Sequence, residues 1–158
     1  MLGITALVHT EDDGLRLGRC LETLYPCDEI LVVDHGSQDG TVRVAHEYAA
    51  RVIAAKPGVA AEEILQHART KWIFCVDARE SLSEALAASL YEWKLDGADK
   101  VPAFSVFLRE ETPEGWVENP EAQTRLVPTT WTRWSGPLPI TDRAAVALEG
   151  ELLRFVLP

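Results

Sequence analysis

Short apolar runs alternate along the first hundred residues with stretches whose apolar positions recur every three or four residues. "LGITALV" (2–8) and "WIFCV" (72–76) are β-rich apolar runs that predict buried strands, "ILVV" (30–33) predicts a second strand, and "RVIAA" (51–55) a third, shorter one. Between them, Leu17, Cys20 or Leu21, and Leu24 recur at helical spacing, with Asp12 or Asp13 placed to cap that helix. Val42, Ala45, Tyr48 and Ala49 make a second stripe, and 59–68 predicts a third helix through Ile64, Leu65 and Ala68. A fourth is predicted over 81–95, striped by Leu82, Leu86, Leu90 and Trp93 and opened by a Ser81/Glu84 capping box. The resulting βαβαβαβα order predicts a mainly parallel sheet with helices on both faces.

From residue 101 the period changes. "PAFSVFLRE" (102–110) alternates, "ETPEG" (111–115) reads as a turn, and "WVENPEAQTRLVP" (116–128) continues the alternation. "TTWTRWSG" (129–136), "AAVAL" (144–148) and "ELLRFVL" (151–157) are again short and strand-like. A period near two with Pro and Gly between runs predicts an antiparallel extension. One domain is expected over 1–158, made of a βα part (1–100) and this extension (101–158).

Composition narrows the function classes. The chain has 158 residues, 47% of them hydrophobic, and a mean hydropathy of −0.04, which suits one soluble domain with a single core. Fifteen basic against 25 acidic residues give a net charge of −10, which opposes nucleic acid and anionic bilayers. An anionic ligand therefore needs local donors or a metal. Cys20, Cys27 and Cys75 form no CxxC pair, so core thiols in a reducing cytosol are expected. No membrane span and no leader pattern are read from the chain, and a cytoplasmic location is the expectation.

Polar residues gather where ligands bind in open α/β sheets, at the carboxyl ends of parallel strands. Thr10, Glu11, Asp12 and Asp13 follow the first strand, Asp34 the second, and Asp77, Ala78, Arg79 and Glu80 the fourth. Three such clusters on one rim point to a ligand site.

These residues also carry a resemblance. "LVHTEDD", "RCLETLYPCDEILVVDHGSQDGT" and "WIFCVDARE" resemble the family 2 glycosyltransferases of the GT-A fold, especially lipopolysaccharide-type bacterial members. The likeness is close through residue 86 and looser through "TRLVP" and "WSG". It implies a three-layer α/β/α GT-A-like fold and a nucleotide-diphosphate sugar as donor. It further implies a saccharide or lipid-linked acceptor of the cell envelope or of a polysaccharide. Thr10, Glu11 and Asp34 would flank the nucleoside, and Asp77 would be the first carboxylate of a motif that holds Mg²⁺ or Mn²⁺ and the diphosphate.

The departures from that pattern are specific. Arg79 replaces the second metal carboxylate, and a guanidinium does not ligate hard cations. Ala61 and Glu62 stand where relatives carry a basic residue and Asn, and Pro139 and Ile140 where they carry a "HE"-type pair. Asp142 is the remaining weak candidate for a general base. Arg79 either meets the diphosphate as a fixed cation or pairs with Asp77 or Glu80, and pairing is the favoured reading. Asp77 and Glu80 are either metal ligands or the polar end of a strand; Asp34 either holds a nucleoside or staples its loop. The enzyme reading therefore has an alternative: a degenerate, non-catalytic GT-A module acting in binding or assembly, with a protein partner or as a homo-oligomer.

His9 and His35 fall on the same rim, where a histidine is able to titrate near neutrality but is more often a solvated loop residue; neither is given a catalytic role. Trp116, Trp131 and Trp134 are expected in packing, and Glu110, Glu111 and Glu114 on a solvated hairpin tip.

Overall fold

The computed structural model describes residues 1–96 and 101–156. Its strands are β1 (Ile4–Thr10), β2 (Glu29–Asp34), β3 (Arg51–Ala54), β4 (Trp72–Asp77), β5 (Glu80–Leu82), β6 (Phe104–Thr112), β7 (Gly115–Glu118), β8 (Gln123–Pro128), β9 (Trp134–Ser135), β10 (Leu138–Pro139) and β11 (Val146–Arg154). The helices are α1 (Leu17–Glu22), α2 (Thr41–Glu47), α3 (Ala61–Leu65) and α4 (Glu84–Asp96). One nine-stranded sheet runs β3-β2-β1-β4-β8-β6-β11-β5, with β7 beside the far half of β6; β9 and β10 form a separate ribbon.

The four predicted strands of the βα part pair in parallel, with β1 between β2 and β4. Their alternate side chains feed two cores, because successive residues of a strand point to opposite faces. Ile4, Ala6 and Val8 pack with Leu17, Leu21, Ala45, Leu86 and Leu90 of α1, α2 and α4. Leu7, Leu31, Val33, Ile73 and Cys75 pack on the other face against Ile64 and Leu65 of α3 and Trp131. Cys20 and Cys75 are buried free thiols and Cys27 is half-buried. Burial pushes the thiols of Cys27 and Cys75 up to about 12, so they serve as apolar filling.

The later half is less uniform than its alternating pattern predicts. β8 is antiparallel to β4, and β6 is antiparallel to β8 and β7, but β11 lies parallel to β6. The sheet is therefore mixed. The expected strands 144–148 and 151–157 are one strand, β11, whose register shifts between Ala147 and Glu151; Leu157 lies outside the described residues. Gly150, at φ +89°, lets this irregular strand continue where the sequence reads as a break.

Two caps differ from expectation. Ser81 sits in β5, and α4 is opened instead by Ser83, whose hydroxyl accepts the Leu86 N–H at 3.1 Å. Neither Asp12 nor Asp13 caps α1, which lacks a side-chain cap; Asp13 takes the Thr10 hydroxyl at 2.7 Å and the Glu11 N–H at 3.1 Å. Helix α3 spans five residues against ten expected; Ile64 and Leu65 are buried within it, and Val59 and Ala68 touch the second core from outside it.

Candidate functional site

The parallel register brings the carboxyl ends of β1, β2 and β4 side by side: Thr10 pairs with Asp34, and His9 with Asp77. Above them lies a cleft of about 500 Å³. Of the sequence-predicted site residues, Thr10, Glu11, Asp77 and Arg79 line it, while Asp34 and Asp142 do not.

Asp34 is buried beside the cleft and holds its own loop, accepting the Ser37 N–H at 3.1 Å and the Ser37 hydroxyl at 2.5 Å. The acidic residues of "DHGSQDGT" thus act as staples. Asp39 accepts the N–H groups of Thr41 and Gly14, and Asp12 accepts the Gln38 N–H at 2.7 Å from across the gap. Together these bonds tie the loop after β2 to the loop after β1.

Arg79 pairs with Asp77, as the favoured reading expects. Asp77 Oδ1 accepts the Arg79 backbone N–H at 2.9 Å and Nε at 3.0 Å, and Oδ2 accepts Nη2 at 3.3 Å. Burial pushes the Asp77 carboxyl up, but the hydrogen bonds and charge of Arg79 outweigh it and hold it below the usual carboxylate range. Glu80 is neither a metal ligand nor the partner of Arg79. It is fully buried beneath the rim, where its carboxylate takes both Arg125 terminal nitrogens at 2.7 and 2.9 Å, Arg154 at 3.5 Å and the Asp77 N–H at 2.8 Å. That bidentate pair fixes the β4–β5 turn from which Asp77 and Arg79 project.

The donor set does not suit Mg²⁺ or Mn²⁺. Both oxygens of Asp77 face a guanidinium, and hard cations require several oxygen ligands. Among the described residues, no three His, Cys, Asp or Glu side chains are grouped to hold a metal ion. Asp142 is equally unsuited to act as a base. Its ion pair with Arg133, supplemented by the Ala144 N–H at 2.7 Å, holds its carboxyl below the usual range.

The cleft contains groups whose importance is not legible in the sequence. Lys56, in the turn after β3, and Arg16, before α1, line it, so its cations come from positions other than 61–62. The strand-end rule points to Lys56, but its "KPG" context reads as an ordinary turn. Trp134 also lines the cleft, whereas Trp131 is buried on the second core and Trp116 is exposed on β7 against Phe155.

His9 and His35 stack with ring centroids 5.0 Å apart, and His9 Nδ1 lies 2.7 Å from His35 Nε2. His9 does not titrate near neutrality: burial, then the nearby His35, push it from the ordinary 6.5 down to about 4. The folded state therefore binds fewer protons than the unfolded chain between pH 6.5 and 4. Stability should fall as pH drops through that window, by at most about 3 kcal/mol, and His9→Asn should flatten the fall. Urea unfolding at pH 7.5, 5.5 and 4.5 measures it.

The mixed sheet with helices on its faces and a cleft at the ends of its parallel strands is a GT-A-like α/β fold. The family model described as Glycosyl transferase family 2 matches residues 8–143, and the chain belongs to that family. It is similar to the lipopolysaccharide core biosynthesis glycosyltransferase LpsC of Rhizobium meliloti (strain 1021), 31% identical over 119 residues covering 68% of this chain and 43% of the relative. An uncharacterized glycosyltransferase of Rickettsia felis is 30% identical over 111 residues, covering 66% of this chain and 39% of the relative. The chain thus spans about two fifths of the length of these curated relatives. Among solved structures, Staphylococcus aureus TarS matches 98% of this chain and 37% of its own with a TM-score of 0.61 at 14% identity. Glucosyl-3-phosphoglycerate synthase from Mycobacterium tuberculosis, in complex with Mn²⁺, UDP and glucosyl-3-phosphoglycerate, matches 69% of this chain and 43% of its own at TM-score 0.51 and 17% identity. These likenesses establish the fold.

Proposed function

We propose that the rim cleft binds a nucleotide-diphosphate sugar, and that the chain is the donor-binding part of a glycosyltransferase acting on a cell-envelope or polysaccharide acceptor. The observation that carries this reading is the convergence of Thr10, Glu11, Asp77 and three cations on one cleft at the strand ends. In this reading Thr10 and Glu11 meet the nucleoside, and the stapled 34–40 loop preorganises that wall. Family membership and the lipopolysaccharide role named for the Rhizobium relative support the substrate class. No helix among the described residues is long and apolar enough to cross a membrane. A single domain over 1–158 and a cytoplasmic location belong to the same proposal.

A second reading, a non-catalytic binding or assembly module, is favoured by one observation. Asp142, the candidate base, is tied to Arg133 and lies outside the cleft. The two readings separate in one assay. The protein is incubated with UDP-, GDP- and CDP-sugars and with lipopolysaccharide-core or polysaccharide acceptors, and release of nucleoside diphosphate is followed by NMR. Acceptor-dependent release supports the transferase; binding without release supports the module.

A further inference from the structure

We propose that this cleft holds the donor diphosphate with its own cations in place of a divalent metal, Arg79 exchanging its Asp77 partner for phosphate oxygens. The inference rests on the reading of the cleft as a nucleotide-sugar site and goes beyond it in naming what neutralises the diphosphate.

Three observations support the exchange. First, the position that would complete a pair of metal carboxylates is a guanidinium, and it occupies both oxygens of the remaining carboxylate. Second, the cleft carries three acidic and three basic side chains in a protein of net charge −10, so its lining is formally neutral while the whole chain is strongly negative. An entering diphosphate would be repelled by most of this surface and meets cations here.

Third, two of the three cations stand in ion pairs at the cleft. Arg16 Nε is 2.6 Å from Asp13 Oδ1, and Arg79 Nε is 3.0 Å from Asp77 Oδ1. Both pairs line the same cleft. The Arg79 side chain is 39% exposed and that of Arg16 30%, and each reaches solvent from its aspartate. Lys56 lines the cleft from the turn after β3, with no ion pair among the described residues. A planar guanidinium suits two phosphate oxygens and remains charged at any working pH, whereas a carboxylate pair needs a metal to meet the same anion. No bond is made or broken in this step; Asp77 loses one partner and is rehydrated as the phosphate gains it.

The test is a binding titration of UDP and UDP-glucose, with GDP- and CDP-sugars as further probes, in EDTA and in Mn²⁺. Unchanged affinity in EDTA is expected, with a ~10- to 100-fold weaker UDP affinity in Arg79→Gln, the usual scale of a charge-assisted hydrogen bond. Arg79→Asp, which returns a second carboxylate, should bind UDP only when Mn²⁺ is added, with paramagnetic broadening of the nucleotide signals. Binding by the unaltered protein that requires Mn²⁺ would overturn the inference and leave the nucleotide-sugar reading standing. Metal-free binding untouched by Arg79→Gln would overturn it likewise. Absence of binding to every nucleotide in both conditions overturns the nucleotide-sugar reading itself, and the inference with it.

Discussion

Arg125→Met is expected to destabilise the protein by about 3–5 kcal/mol, a large part of the 5–15 kcal/mol that holds a typical domain. Arg125 and Glu80 are each 0% exposed and joined by two hydrogen bonds, with Arg125 also donating to the Cys75 carbonyl at 3.1 Å. Removing the guanidinium strands a carboxylate beneath the rim with Arg154 and one backbone N–H as its remaining partners. Glu80→Ala should cost a similar amount by stranding the cation, because the expense lies in an uncompensated buried charge. The double replacement Glu80→Leu with Arg125→Met should lose much less than the two single losses added, since the residues are in direct contact. Guanidinium unfolding of the four proteins measures this coupling. Single losses below about 1 kcal/mol would mean that water reaches the pair and that it does not fix the β4–β5 turn.

Gly150→Ala is the second large effect. At φ +89° an alanine is strained, and its Cβ would stand 2.2 Å from the Leu86 backbone nitrogen and 2.7 Å from Leu86 Cα. The neighbour is the first turn of α4, which cannot rotate away as a side chain would. Backbone strain and overpacking each add about 1–3 kcal/mol, so a loss of several kcal/mol is expected. Thermal unfolding tests it, with Gly58→Ala as control: that glycine also has positive φ, +75°, but nothing within 4 Å of the added carbon. The control should show strain alone. Equal shifts for the two variants would contradict the close approach of β11 to α4.

The βα part was legible because β1, β2 and β4 are apolar runs whose central residues are buried on both faces, a signal that survives from sequence to structure; β3, at the sheet edge, is only partly buried. Boundaries moved as well: β1 extends to Thr10 because it pairs with Asp34, and α3 keeps only the middle of its expected span although Val59 and Ala68 on either side still touch the second core. β11 was hidden because Gly150 reads as a break, although here it is an irregularity within one strand. In the site, the strand-end rule found Thr10, Glu11, Asp77 and Arg79, whose places follow from register. For Asp34 it left two readings open, of which the local staple to Ser37 is the one observed; that Glu80 turns under the rim was not legible, since its partner lies far along the chain. Arg125, 45 residues from Glu80, gives no local sign of its role. The His9–His35 pair likewise forms only when β1 and β2 are adjacent.

Amide chemical-shift mapping with UDP-glucose, GDP-mannose and CDP-glucose decides whether the rim cleft is a nucleotide-sugar site. At least one of these should shift Thr10, Glu11, His35, Lys56 and Arg79 together at sub-millimolar to millimolar concentration, leaving the β6–β7 hairpin unmoved. Shifts confined to that hairpin, or no shift with any of the three at millimolar concentration, would contradict that reading.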